Sequence, residues 1–167
     1  MPTTYSNTNF LILKTTEDLQ SGIYFGSNGN FAKVFDDDNM NDAGDMSSNC
    51  HIGMEFKQGF IGQISQVKFF LSNVVLTTFT NNLKFQGSND KNNWSDLFSV
   101  DENVHEGWNY HKWNDAASYP KFRAYRFTGS AAGSCKINEI KFAGVKSRDD
   151  NNQNVQCDVK LYLDGAS

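Results

Sequence analysis

The sequence predicts an all-β fold, a β-sandwich or jelly roll of about eight short strands. Apolar residues alternate with polar ones along most of the chain, and clusters of Gly, Asn, Asp and Ser separate the alternating runs. No stretch of ten residues repeats apolar positions with the spacing of a helix. A chain of 167 residues is long enough for one domain with a substantial core.

The segment CHIGMEF, residues 50–56, shows the alternation most clearly. Its apolar residues occupy every second position, so one face of the predicted strand is buried. Similar runs, some less regular, predict further strands: NFLILKT (9–15), SGIYFG (21–26), QVKFFLS (66–72), NLKFQ (82–86), AYRFTG (124–129), NEIKFAG (138–144) and DVKLYLDG (158–165).

The polar segment KSRDDNNQN, residues 146–154, is the best candidate for a domain boundary. We therefore predict one β-sandwich over residues 1–145, with 146–167 as a linker plus a terminal strand. That strand either docks on the first strand or opens a further domain.

The formal net charge of −4 leaves no basic surplus for phosphates, which disfavours nucleic acid and other polyanions as partners. No apolar run reaches the roughly 18 to 20 residues that a membrane-spanning helix needs. The first ten residues show neither the basic nor the apolar part of a signal peptide. The candidate hairpin tips are mostly polar, so we expect no membrane insertion.

Three segments, in this order, resemble the discoidin or coagulation-factor type C domains of the galactose-binding-like superfamily. They are KVFDDDN (33–39), FQGSNDKNNWSDL (85–97) and FRAYRFTGSAAGSCKINEIKFAG (122–144). The resemblance implies an eight-stranded jelly roll with no common enzymatic activity, whose members bind glycans, lipid head groups or proteins through loops at one end. The residues 87–93 within it are typical of a turn between strands rather than of a binding loop.

Five aspartates lie within ten residues, namely Asp36, Asp37, Asp38, Asp42 and Asp45. Clustered carboxylates in a loop favour calcium, although the spacing is not that of an EF-hand. The alternative is a solvated acidic turn without a metal.

The resemblance implies a structural calcium ion at this loop. Its ligands would be Asp36, Asp38 and Glu139, with the carbonyl of Lys33 a possible addition. Many members of the family have a glycine with positive φ where this chain has Asp37.

The segment HEGWNYHKW, residues 105–113, has the most sugar-like composition in the chain. Aromatic rings stack on sugars, and histidines bond hydroxyls, so we predict a ligand site at His105, His111 and Trp113. Trp108 and Tyr110 alternate with period two, which favours packing in the core or at an edge. Zinc binding by the two histidines is disfavoured, because no third ligand lies nearby in sequence.

Three cysteines allow at most one internal disulfide. Cys50 and Cys135 lie on or beside predicted inner strands, so they are the best pair if the fold brings them together in an oxidising compartment. Cys157 would then remain, with a partner in a neighbouring domain as one possibility. Without a recognisable catalytic motif, we expect no enzyme activity.

These features predict a non-catalytic, extracellular or cell-surface module that binds a glycan or glycoprotein through its end loops, with structural calcium. The alternative is an assembly module of a multi-domain extracellular filament or ciliary complex, whose partners are neighbouring domains or subunits. An intracellular adaptor on the same fold is a third reading.

Overall fold

The computed structural model describes residues 22–27, 31–40, 48–72, 82–100, 103–131 and 135–149, which form two packed antiparallel sheets. These ranges contain no α-helix, and the predicted all-β sandwich is confirmed. The strands are β1 Gly22–Gly26, β2 Cys50–Phe56, β3 Phe60–Leu71, β4 Leu83–Ser88, β5 Ser95–Ser99, β6 Gly107–Lys112, β7 Lys121–Phe122, β8 Ala124–Gly129 and β9 Glu139–Arg148. Two short 3-10 helices, Phe31–Phe35 and Ala116–Ser118, complete the described elements.

The larger sheet has five strands in the order β1-β2-β8-β4-β5. In the smaller sheet, β3 pairs with β9 along one edge and with β6 and β7 along the other. Strands β5 and β6 are consecutive in the chain but belong to different sheets. A groove between the two sheets can therefore open beside these strands.

The core forms between the inward faces of the two sheets, as the alternation predicts. All four apolar residues of β2, at positions 50, 52, 54 and 56, are buried. Phe85 of β4 lies at the centre of the aromatic packing, with its ring stacked on that of Tyr125 at 5.7 Å and tilted against Phe127 and Phe142. Because Phe142 belongs to β9, these contacts join the two sheets.

Tyr125 also links the sheets through its hydroxyl group. The oxygen lies 2.7 Å from the carbonyl oxygen of Gly62 on β3 and 2.8 Å from that of Pro120, and it accepts a hydrogen bond from the Phe122 amide. Burial raises the pKa of this phenol, so it stays protonated as a donor. Gly62 leaves space for the core here, since a Cβ atom would lie 2.2 Å from the Phe56 ring.

A disulfide joins Cys50 at the start of β2 to Cys135, with Cα atoms 5.9 Å apart. The structure thus forms the bridge that the sequence favours. The two residues are 85 positions apart, so the bridge closes a long loop. Cys157 lies outside the described residues.

Several strand boundaries differ from the sequence prediction. Strands β5 and β7 were not predicted, and β3 begins at Phe60 rather than near Gln66. Strand β9 continues through Arg148, and the Asp149 carboxylate pairs with Arg123, so the sandwich extends past the predicted boundary at residue 145. The strands predicted at 9–15 and 158–165, and the tail, lie outside the described residues.

The segment FQGSNDKNNW forms the β4–β5 turn, as predicted. The Asp90 carboxylate accepts hydrogen bonds from the amides of Asn92 and Asn93 and from the Asn93 side chain, and these bonds lower its pKa. This turn lies at one end of the sandwich. The opposite end holds the starts of β2, β6 and β9 and the end of β3. No helix of the described residues is long and apolar enough to cross a bilayer.

We expect Tyr125→Phe to lower the free energy of unfolding by about 1 to 3 kcal/mol, because buried carbonyl and amide groups lose their partner. Urea denaturation followed by fluorescence measures the change. Tyr110→Phe is the matched control, since Tyr110 is 65% exposed, and it should leave the midpoint unchanged. Equal midpoints for the Tyr125→Phe variant and the unmodified protein would contradict the role of this hydroxyl.

Candidate functional site

The two sites predicted from sequence occupy the same end of the sandwich. The acidic loop follows the 3-10 helix Phe31–Phe35, and Glu139 is the first residue of β9. His105 lies two residues before the start of β6 at that end, whereas His111 lies further along the strand. Asp42 and Asp45 lie outside the described residues.

Strand β6 presents different side chains to its two faces. Asn109 is buried, and His111, two positions later, points toward the same inner side, where it contacts Phe98 of β5. Trp108 and Tyr110 therefore lie on the outer face. Trp108 is half-buried with its ring edge-on to Phe70, as edge packing predicts. The prediction that Tyr110 packs in the core or at an edge is wrong, because its side chain projects from the sheet and is 65% exposed.

A cleft of about 250 Å³ lies between the end of β5 and β6. It occurs where the edges of the two sheets meet, so its walls come from both. Phe69 and Val100 contribute apolar surface. Aromatic and polar side chains complete the lining, among them Phe98, Ser99, Asn103, His105, Tyr110 and His111.

The His111 ring is fixed by aromatic neighbours. It stacks on Phe98 with centroids 4.1 Å apart and an interplanar angle of 8°, and it meets Trp113 edge-on at 4.6 Å. Burial lowers the pKa of His111, so the imidazole is neutral at pH 7. A neutral ring has one N–H donor and one acceptor nitrogen.

Asn109 holds the segment that carries His105. Its side-chain oxygen accepts from the His105 amide at 3.0 Å, and its NH₂ group donates to the His105 carbonyl at 2.8 Å and to the Gly107 carbonyl at 3.2 Å. The His105 Nδ1 lies 2.8 Å from the Glu106 carbonyl, which can only accept, so Nδ1 carries a proton. His105 is thereby oriented at the cleft.

The structure brings two of the three predicted ligand residues, His105 and His111, to the cleft. Trp113 lies behind His111, half-buried against the core, and its amide donates to the Ser65 carbonyl. It therefore supports the His111 ring from the side. Phe98 was missed because SDLFS shows no clear alternation, and strand β5 was not predicted.

The acidic loop is held by local hydrogen bonds and by β9. Asp36 accepts from the Asp38 amide, and Asp38 accepts from the Met40 amide, each at 2.9 Å. Asp37 has a φ of 65°, in agreement with the left-handed conformation that the resemblance implies there. Its carboxylate pairs with Lys141 at 2.6 Å. Lys33 lies in the preceding 3-10 helix.

Glu139 is fully buried beneath this loop. Its Oε1 accepts from the Asp37 amide at 3.2 Å, whereas its Oε2 is buried without a hydrogen-bond partner. The pKa of Glu139 is raised to about 8, chiefly by burial; the Asp36 and Asp37 carboxylates also raise it, whereas the Asp37 amide and Lys141 lower it. A buried carboxylate oxygen without a partner is costly unless it binds a proton or a cation.

No group of three His, Cys, Asp or Glu side chains suited to a metal occurs in the described ranges. A calcium ion at the acidic loop would therefore need backbone carbonyl oxygens besides carboxylates, as calcium commonly accepts. The orphaned Glu139 oxygen fits such a donor set.

Comparison with known proteins supports the fold. No family model and no curated protein matches the chain. Among solved structures, the module CBM62 from Clostridium thermocellum Xyl5A matches with a TM-score of 0.64 and 22% identity over 75% of this chain and 96% of its own. The family 32 module of Clostridium perfringens NanJ, in complex with galactose, has a TM-score of 0.58 and 7% identity, covering 79% of this chain and 97% of its own.

A second Clostridium perfringens module, CpGH89CBM32-5, was solved with GalNAc-β-1,3-galactose. It matches with a TM-score of 0.56 and 9% identity over 78% of this chain and 98% of its own. These matches confirm that the chain has the discoidin-like, galactose-binding-like sandwich fold. At such low identity, they are evidence for the fold alone.

In the presence of a chelator, we expect stability to fall as pH rises from about 4.5 toward 8. Native Glu139 keeps its proton up to about pH 8, whereas the unfolded carboxyl loses it near 4.5. The unfolded state thus binds fewer protons across this window, and ionisation favours unfolding. Urea denaturation at several pH values measures the slope, which Glu139→Gln should reduce. An unchanged slope in that variant would contradict the raised pKa.

Proposed function

We propose that this chain, a discoidin-like β-sandwich, is a non-catalytic module that binds glycans in the cleft between β5 and β6. The observation that carries the proposal is the His111 imidazole stacked on Phe98 in the wall of a cleft that His105 also lines. Concave sites with aromatic walls and a few oriented polar groups are typical of small-molecule binding.

The chemistry of the cleft suits sugar hydroxyls. A hydroxyl group both donates and accepts, and the neutral His111 ring offers a group of each kind. Hydrogen bonds with the Asn109 side chain orient the backbone at His105. This segment therefore loses little conformational freedom when a ligand binds. The exposed Tyr110 at the rim offers an aromatic face for a sugar ring.

Two structural neighbours were solved with galactose and with GalNAc-β-1,3-galactose. Their ligands support carbohydrate as the chemical class, and neutral galactosides are the first probes to test. The Cys50–Cys135 disulfide supports an extracellular or cell-surface location, since such bonds persist in oxidising compartments.

The assembly-module alternative has no specific observation in its favour among the described residues. It is favoured if the terminal strand predicted at residues 158–165 opens a further domain, and those residues lie outside the described part of the chain. It stays a prediction that crosslinking and size-exclusion chromatography of the protein would test.

We expect His111→Ala to weaken glycan binding about tenfold or more, because the cleft loses a stacked ring with two polar atoms. A glycan array followed by titration calorimetry with galactose and GalNAc-β-1,3-galactose measures the effect. His111→Phe keeps an aromatic ring on Phe98 but has no ring nitrogens. It should fold normally and bind weakly, which separates polar recognition from packing.

Lys57→Ala is the control for this experiment, because Lys57 is exposed at the opposite end of the sandwich. It should bind like the unmodified protein. Failure of the array to detect any bound glycan, or unchanged affinity in both His111 variants, would reject this cleft as the site.

We also propose a structural calcium ion at the acidic loop. Glu139 and Asp36 would supply carboxylate oxygens, Asp38 would contribute from the loop, and the Lys33 carbonyl would complete the set. The support is the buried Glu139 Oε2, which has no hydrogen-bond partner. The ion would neutralise the carboxylates and connect the loop to β9.

We expect calcium at 100-fold excess over its Kd to raise the melting midpoint by about 5 to 10 °C relative to chelator, because it binds the native state alone. Glu139→Gln is close in shape but carries no charge. It should fold in chelator and lose most of the calcium-dependent shift. A melting midpoint that calcium leaves unchanged would exclude the site and leave Glu139 as a protonated carboxyl.

A further inference from the structure

The outer face of the smaller sheet carries a surface unlike the rest of the chain. Side chains form three rows there, and each row contains one residue from each of β6, β3 and β9. The register places Trp108 beside Phe70 and Glu139, Tyr110 beside Lys68 and Lys141, and Lys112 beside Gln66 and Ala143. The intervening residues, such as Val67, Phe69 and Phe142, are buried in the core, so these nine positions lie on the outer side of the sheet, where the acidic loop covers Glu139.

Three lysines lie on this face, and because Lys141 is ion-paired with Asp37, Lys68 and Lys112 supply most of its positive charge. Lys68 and Lys112 are exposed, and the Lys141 ammonium lies 5.3 Å from the centre of the Trp108 ring. The one carboxylate among the nine positions, Glu139, is fully buried. Asp37 reaches Lys141 from the acidic loop and offsets part of its charge.

Aromatic surface lies directly beside these cations. Tyr110 is 65% exposed and pairs across the strands with Lys68. Trp108 lies one row away, on the same face of β6. We define the lysine face as Lys68, Trp108, Tyr110, Lys112 and Lys141.

We propose that the lysine face binds a carboxylated polysaccharide, as a second binding surface that adjoins the His111 cleft at Tyr110 but includes neither His105 nor His111. Flat aromatic surface suits sugar rings, and lysines in adjacent rows suit carboxylates that repeat along a chain. Neighbours within a row lie about 4.8 Å apart, and adjacent rows, two residues apart along each strand, lie about 6.6 Å apart, so the face offers closely spaced contacts to an extended ligand.

Charge complementarity favours this ligand although the whole chain carries a net charge of −4. Exposed charges are screened beyond about 8 to 10 Å at ordinary salt, so the local cluster decides which ligand approaches. A duplex nucleic acid would present its phosphates densely and would gain little from the ring of Tyr110. An acidic polypeptide would offer charge without sugar rings.

The test is affinity electrophoresis of the full chain in gels that contain polygalacturonate, with a neutral galactan of similar length as the comparison. We expect polygalacturonate to retard the chain through the lysine face, strongly at about 20 mM salt and no longer near 0.5 M, whereas retardation by the galactan through the cleft should not depend on salt. The double variant Lys68→Gln/Lys112→Gln should raise the apparent Kd roughly 5- to 10-fold.

The charge-matched control is Lys57→Gln/Lys84→Gln, which changes the net charge equally at two exposed lysines outside this face. It should be retarded like the unmodified protein. Tyr110→Ala should weaken binding several-fold, and Tyr110→Phe, which keeps the ring, should restore it.

Equal losses in the two double variants would show that net charge alone matters, which would overturn the proposal. So would retardation by double-stranded DNA or poly-glutamate as strong as that by polygalacturonate. His111→Ala distinguishes this surface from the cleft, because it should leave polygalacturonate binding unchanged while neutral galactosides are lost.

Discussion

The packing of aromatic rings around Tyr125 is the contact on which the arrangement of the two sheets depends. Its ring stacks on Phe85 of the same sheet and tilts against Phe142 of β9, and its hydroxyl bonds the Gly62 and Pro120 carbonyls, so β8 is joined to the smaller sheet by both apolar and polar contacts. These bonds define how the sheets meet along their length. The edges β5 and β6 then come together with Phe98 against His111, and the cleft follows from that meeting.

Strand β6 contributes to two surfaces because successive side chains of a strand point to opposite faces. His111 faces the cleft, whereas Tyr110 and Lys112 face outward next to Lys68. A shift of one residue in the register between β3 and β6 would turn His111 outward and would turn Tyr110 and Lys112 toward the cleft side. The contact of buried Asn109 with the His105 backbone holds the start of the strand in its observed register.

The strands with strict alternation were predictable from sequence, because period two requires only that one face be buried. Alternation cannot tell which face of an edge strand is buried, so Tyr110 was expected to pack and is exposed instead. Strand β5 was missed because its burial is partial and its inward contacts depend on a partner from the other sheet. The pairing of Cys50 with Cys135 followed from their places on inner strands.

The effect of a charged side chain also depends on where the fold places it. The alternation of residues places Glu139 in a closing strand, and it is the family resemblance that implies a role for it as a calcium ligand. Its burial beneath the acidic loop makes it costly to ionise and suits it to a proton or a cation. Lys68 and Lys112 count equally against a net charge of −4, yet neither has a carboxylate as its cross-strand neighbour: Lys68 lies between Tyr110 and Lys141, and Lys112 pairs with Gln66. A negative net charge does not exclude a local positive surface, and on this face Lys68 and Lys112 remain beside the ion pair of Asp37 with Lys141.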